Sequence, residues 1–181
     1  MTDSTPAGVT PASAPASAPA DNNLVFNFEK VYIKDMSIEV PHAPQIFLES
    51  AAPTMETSLN INAANFADGM YEVTVTATVT TRTNDKVMFL VEVAQAGIFE
   101  MRNFSPEQLE NSLGIYCAAQ VYPYLRSTVA DVITRAGFPV LHLPTVNFEV
   151  FYAQRMEQLR EAQAKGEPGP PEWNLTKPGL Q

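Results

Sequence analysis

The chain has 181 residues, a formal net charge of −9 and an apolar fraction of 45%. That length suits one folded domain with tails, and the apolar content is enough to build a core. The acidic balance argues against nucleic acid and against anionic lipid as partners, because both need clustered Lys and Arg.

Residues 1–23 are dominated by Ala, Pro, Ser, Thr, Asp and Asn, including Ser13-Ala14-Pro15-Ala16-Ser17-Ala18-Pro19-Ala20. Such a segment cannot bury enough apolar area to offset its ordering entropy, so a disordered tail is expected there. It lacks the basic start and continuous apolar stretch of a secretory signal. No apolar run approaches the roughly 18 residues that a membrane-spanning helix requires. A cytoplasmic protein without direct membrane insertion is the resulting expectation.

From Leu24 to Val40 the residues alternate. Phe26, Phe28, Tyr32, Met36 and Ile38 fall on one face, and Asn27, Glu29, Asp35, Ser37 and Glu39 on the other. A period of two means a strand with one wet side. Val25, Val31 and Ile33 also fall on the wet side by this count, an excess that points to a partly covered face or a subunit contact. A shorter strand is predicted near Met55–Asn62, with Met55, Thr57, Leu59 and Ile61 aligned. A hairpin follows over Tyr71–Gln95, turning at Arg82-Thr83-Asn84-Asp85. In its first strand Val73, Val75, Ala77 and Val79 oppose a row of threonines, a residue type that forms strands and tolerates water. In its second strand Leu90 and Glu92 lie on the wet face beside Met88, so an apolar side chain is exposed next to an acid.

The remainder reads as helix. Ser105-Pro106-Glu107-Gln108 is a strong helix start, with a capping serine, proline at the first helical position and glutamine three residues after the cap. The pattern continues to Ala136 and stops at Gly137-Phe138-Pro139, with Pro123 expected to kink or split it. Asn147 caps a second helix from Phe148 to about Lys165, whose apolar stripe is Phe148, Phe151, Tyr152, Met156 and Leu159. Residues 165–181, rich in Gly and Pro, are expected to be a flexible second tail, which leaves residues 24–164 as the folded domain. Four strands followed by two helices imply an α+β fold, a four-stranded antiparallel sheet with both helices packed on one face.

Catalytic machinery is hard to assemble from these residues. A single cysteine, Cys117, excludes an intrachain disulfide and favours a reducing compartment. It sits in an apolar helical stretch, Gly114 to Ala119, where burial would raise its pKa and leave it inert. One cysteine with His42 and His142, both near prolines, cannot form a close-spaced zinc site, so no metal is expected. Ala96-Gly97-Ile98 lacks the lysine and glycine spacing of a phosphate loop, and Glu49 and Glu56 read as solvated loop charges. The expectation is a protein that is not an enzyme and has no cofactor. The abundant aromatic residues could either pack sheet to helices or line an open groove.

Several runs in order carry a resemblance: Val31-Tyr32-Ile33-Lys34-Asp35-Met36-Ser37, Pro41-His42-Ala43-Pro44-Gln45-Ile46-Phe47, Tyr71-Glu72-Val73, Phe89-Leu90-Val91-Glu92-Val93, Ala96-Gly97-Ile98-Phe99, Tyr116-Cys117, Tyr122-Pro123-Tyr124-Leu125-Arg126, and Phe138-Pro139 with Val146-Asn147-Phe148. Together they resemble the bacterial protein-export chaperone family SecB over about residues 24–160. The resemblance implies a homotetramer, a dimer of dimers with helices sandwiched between two eight-stranded sheets. It also implies ATP-independent binding of unfolded preproteins and their delivery to the translocation motor SecA. The SecA-binding residues it implies are Asp35, Glu39, Leu90 and Glu92. Ala118 and Ala96 depart from the family, which usually has proline and glycine there. A client-binding groove is expected between the Phe148 helix and the sheet and loop edges, with Phe47, Phe99, Tyr122, Phe148 and Phe151 as its lining. The competing reading is an oligomeric scaffold or small-ligand carrier without chaperone activity, which requires a closed apolar pocket.

Overall fold

The computed structural model describes residues 23–165; apart from Asn23 and Lys165, both expected tails lie outside the described residues. Strands β1 (Val25–Glu39), β2 (Thr54–Ala67), β3 (Met70–Thr83) and β4 (Lys86–Arg102) form one antiparallel sheet in the order β1-β4-β3-β2. A short 3-10 turn, Gln45–Leu48, lies in the crossover from β1 to β2. Helix α1 (Pro106–Asn111) runs through a π-helical stretch (Ser112–Cys117) into α2 (Ala118–Arg135), and α3 (Phe148–Lys165) follows a loop. The helices lie on one sheet face. Helix α2 packs across β3 and β4, while α3 packs on the π stretch and borders β2. The expected α+β arrangement is the one observed.

The expected hairpin is present and tighter than the sequence indicated. Asn84 and Asp85 alone make the turn, with φ of 47° and 62°. Two consecutive left-handed residues make a turn whose twist matches that of paired strands, and Asn and Asp tolerate this conformation best after glycine. Strands β2 and β4 run further than the alternation showed, to Ala67 and Arg102. Their distal residues, such as Ala63 and Ala64 in β2 and Gly97 in β4, have little strand propensity of their own. Pairing holds them: Ala63 and Ala64 face Val73 and Glu72 of β3, and Gly97 is paired on both sides.

Strand β1 corrects the simple alternation. Its register with β4 shifts between Phe28 and Lys30 and again between Ile33 and Asp35. Glu29 and Lys34 are therefore extra residues in two β-bulges, and each bulge flips every later side chain to the opposite face. Val31 and Ile33 pair with Gly97 and Gln95 and belong to the helix-bearing side, while Tyr32 pairs with Ala96 and belongs to the outer side. For Val31 and Ile33 the apparent surplus on the wet face was thus a register effect, whereas Val25, paired with Arg102 ahead of both bulges, does lie on the outer face.

The helical half also differs at one point. Ser105 caps α1 as predicted, accepting from the Gln108 amide (3.3 Å) while Gln108 Oε1 accepts from the Ser105 amide (3.0 Å). Asn147 Oδ1 caps α3 by accepting from the amides of Glu149 and Val150. Pro123, however, lies within α2, which is helical on both sides of it. The irregularity is the π stretch, which ends two residues before Ala119, whose carbonyl the proline ring would crowd.

The core lies between α2 and the inner sheet face: Val73, Val75, Ala77, Val79, Val91, Val93 and Phe99 below, Val121, Leu125, Val129 and Ile133 above. Gly97 sets the closest approach. A Cβ there would fall 2.7 Å from Val121 Cγ2, 2.9 Å from Phe99 Cε2 and 3.1 Å from Phe28 Cε2. Replacing glycine by alanine ordinarily gains about 0.4–1 kcal/mol through the unfolded chain. Here overpacking of stiff neighbours costs about 1–3 kcal/mol, so sterics decide the sign. Gly97→Ala is expected to lower the urea midpoint at unchanged slope; a midpoint equal to or above that of the parent would contradict this packing.

Candidate protein-binding surfaces

The outer sheet face is built by β1, β4 and β3 from residues that alternate away from the core. Asp35, Glu39, Leu90 and Glu92 all lie on it, because Glu39 pairs with Leu90, Ser37 with Glu92 and Asp35 with Ala94. On the other side Leu90 and Glu92 pair with Thr80 and Thr78, and Thr78 Oγ1 donates to Glu92 Oε2 at 3.1 Å. The three acids are exposed and Leu90 is half-buried. The site is thus an apolar side chain flanked by carboxylates and hydroxyls, on the face that none of the described helices covers. Further along this face Tyr32 and Lys34 both donate to the Glu72 carboxylate. Burial first, then the bond to Glu72, pushes the Tyr32 hydroxyl from 10.0 up to about 12. Burial also pushes Glu72 upward, but the bonds from Lys34 and Tyr32 outweigh it and hold the carboxyl below its ordinary 4.5.

The five expected groove residues do not form one lining. Phe47 is 50% exposed in the crossover and stacks on Phe138 at 5.0 Å, which in turn touches Phe89. Tyr122, Phe148 and Phe151 come together where α3 crosses the π–α2 run, with ring centroids 5.4 and 6.4 Å apart. The Tyr122 hydroxyl donates to the Pro144 carbonyl at 2.6 Å and ties the loop down. Phe99 is 0% exposed, sandwiched by Phe28 at 4.7 Å and Phe26 at 5.8 Å. It points inward from the strand paired on both sides, so in this subunit it is core, not groove lining.

Two further surfaces appear, the first unread in the sequence and the second indicated there only by the apolar excess of β1. An open depression of about 300 Å³ lies between β2 and α3, where Leu59 and Asn60 meet Phe151 and Arg155. Arg155 is 9% exposed, its Nη1 donates to Asn60 Oδ1 at 3.2 Å, and burial lowers its pKa. An arginine on a helix reads as solvated from sequence, and nothing there showed that it would reach an edge strand. The second surface is the apolar β1 margin, where Ile33 and Met36 remain 48% and 47% exposed, while exposed Tyr116 and Tyr124 stand edge-on to Phe26 and Phe28 nearer the start of the strand.

Cys117 is enclosed in the core, where burial pushes its thiol up to about 12 and keeps it protonated at neutral pH. His42 and His142 are both exposed and line different depressions. Among the described residues no helix is long and apolar enough to cross a membrane.

Comparison with known proteins shows the family. Residues 19–159 match the family described as preprotein translocase subunit SecB. The chain is 53% identical over 152 residues to the protein-export protein SecB of Herminiimonas arsenicoxydans, covering 83% of this chain and 93% of that one. It is 52% identical over 147 residues to that of Cupriavidus metallidurans, covering 81% and 86%. Among solved structures, a Mycobacterium tuberculosis SecB-like chaperone in complex with a peptide from the HigA1 antitoxin superposes with a TM-score of 0.57. The identity is 15%, and the match covers 67% of this chain and 90% of that one. Sheet, one-sided helices and apolar margins define the class: an α+β subunit with the SecB-like chaperone fold. The chain belongs to the SecB family and, with it, to the protein-export chaperones.

The outer-face cluster carries a pH signature. A depressed Glu72 stabilises the fold above its ordinary 4.5 and loses that contribution as pH falls through the folded value. A raised Tyr32 stabilises below 10.0 and loses its contribution as pH rises toward about 12. Glu72→Gln is therefore expected to lower stability at neutral pH and to flatten its decline below pH 4.5. Some decline will remain, since hydrogen bonds from Lys86 and Arg102 hold Glu49 and Glu100 low as well. Urea midpoints measured across acid pH check this; parallel curves for parent and variant would refute the role of Glu72.

Proposed function

We propose that this chain is the subunit of a cytoplasmic homotetramer, a dimer of dimers, that holds unfolded precursor proteins without ATP and hands them to SecA for export. The observation that carries this reading is the separation of two surfaces on one sheet. Asp35, Glu39, Leu90 and Glu92 share the bare outer face, and the exposed apolar margins lie on the helix-bearing side. A subunit arranged in this way can hold a client at its margins and still offer the outer face to a motor.

The energetics favour several weak contacts over one strong pocket. Burying one aromatic or aliphatic side chain is worth roughly 1.5–3 kcal/mol. Micromolar capture needs about 8 kcal/mol after ordering costs. Tyr122 and Phe148 are buried, which leaves Phe151 and Leu59 in the β2–α3 depression as the apolar contact there, so one subunit alone would barely reach that figure. Four subunits engaged by one long chain gain through effective concentration. Folded proteins hide their apolar segments, so selectivity follows from the folding state of the client. The β1 seam with Ile33 and Met36 supports pairing of subunits, since apolar area left at a sheet margin is stabilised by a second copy.

Light scattering of the purified protein with a denatured secretory precursor tests oligomer mass and capture together. A tetramer that suppresses aggregation without ATP is expected; a monomer, or no suppression at molar excess, would overturn the reading. At the outer face, Leu90→Arg and Glu92→Lys are each expected to weaken SecA binding about tenfold or more, or about 1.4 kcal/mol. Tetramer mass and client capture should persist in both variants. Unchanged SecA titration curves for both would remove Asp35, Glu39, Leu90 and Glu92 as the docking site.

A further inference from the structure

We infer that the depression between β2 and α3 is filled, when no client is present, by the chain's own segment Glu172-Trp173-Asn174-Leu175, which a client must displace. This rests on the proposed reading that the Phe151 side of α3 receives apolar segments of unfolded proteins.

Three observations converge on it. The depression holds about 300 Å³ and combines an apolar floor, Leu59 and Phe151, with the guanidinium of Arg155 held against Asn60. A cation set into an apolar groove, on a chain of net charge −9, suits an occupant that presents an aromatic or aliphatic group beside a carboxylate. The sequence beyond α3 offers that combination once, at Glu172-Trp173 with Leu175 two residues on.

The reach fits as well. Helix α3 ends at Lys165, so Arg155 lies about 15 Å back along it at 1.5 Å per residue. Gly166, immediately after, is the residue type that most readily ends a helix and reverses the chain. Pro168, Pro170 and Pro171 favour extended backbone, and at ~3.1 Å per residue the stretch from Lys165 to Trp173 covers about 25 Å. The indole can therefore return to Arg155 and Phe151 on its own subunit. Because the segment is tethered, its effective concentration is of millimolar order, so a weak contact suffices to fill the groove. The groove is then bare in only a minority of molecules, which favours chains with enough apolar length to outcompete the tether.

Trp173 is the only tryptophan in the chain, so its fluorescence reports the contact directly in the full-length protein. The indole is expected to emit as a shielded group and to resist acrylamide quenching. Adding a denatured, tryptophan-free protein should shift the emission to the red and increase quenching. Phe151→Asp and the milder Arg155→Met should do the same without client. Trp173→Ala should tighten client capture; if the segment fills the groove in about nine-tenths of molecules, the gain is about tenfold. An indole that emits and quenches like free tryptophan in the parent and both variants overturns the docking. Client capture alongside such an exposed indole sinks the docking and leaves the chaperone reading intact. A shielded indole, released by the two variants, in a protein that captures no client upholds the docking and sinks the chaperone reading.

Discussion

One helical layer cannot cover this sheet, and the rest of the molecule follows from that shortfall. Four strands about 4.8 Å apart are wider than a single helix of about 10 Å, and β4, with 17 residues, is about 56 Å long against about 27 Å for α2, with 18. Helix α2 therefore seals the middle, over β3 and β4, where Val73, Val75, Val91, Val93 and Phe99 are fully enclosed. Gly97 allows it to approach closely enough to do so. What α2 leaves uncovered stays partly exposed: the β1 margin with Ile33 and Met36, and the β2 margin with Leu59, which α3 covers only in part.

The opposite face solves a different problem. With none of the described helices above it, it must be tolerable to water, and its row of Thr76, Thr78 and Thr80 meets that need while keeping strand propensity. Leu90 stands out against this background because nothing in the fold requires an apolar residue there. Glu92, hydrogen-bonded by Thr78, and Glu39, paired beside Leu90, surround it with charge. An apolar side chain set among carboxylates on an otherwise threonine-rich stretch of sheet suits a specific partner.

The aromatic residues show how much depends on position within the sheet. Phe99 and Phe151 look alike in sequence, yet one lies on the doubly paired strand under α2 and the other on the outermost helix. Phe47, in the crossover, finds Phe138 and Phe89 at the far side of the domain from Phe148. Three aromatic clusters serve three purposes: Phe26-Phe28-Phe99 is core, Tyr122-Phe148-Phe151 docks α3, and Phe47-Phe138-Phe89 pins the crossover.

Local chemistry was legible in the sequence by itself. Capping at Ser105 and Asn147, alternation in β2 and β3, the turn at Asn84-Asp85 and the burial of Cys117 each depend on residues a few positions apart. The joint placement of Asp35, Glu39, Leu90 and Glu92 was legible too, because both strands keep their alternation in that region. Only the tertiary structure decided the faces of Val31, Ile33 and Tyr32, since a bulge adds one residue to one strand and is visible only against the partner it pairs with. It alone brought Arg155 to Asn60 and shut Phe99 away from solvent. Those outcomes depend on contacts far apart in the chain, which helical or strand periodicity cannot encode.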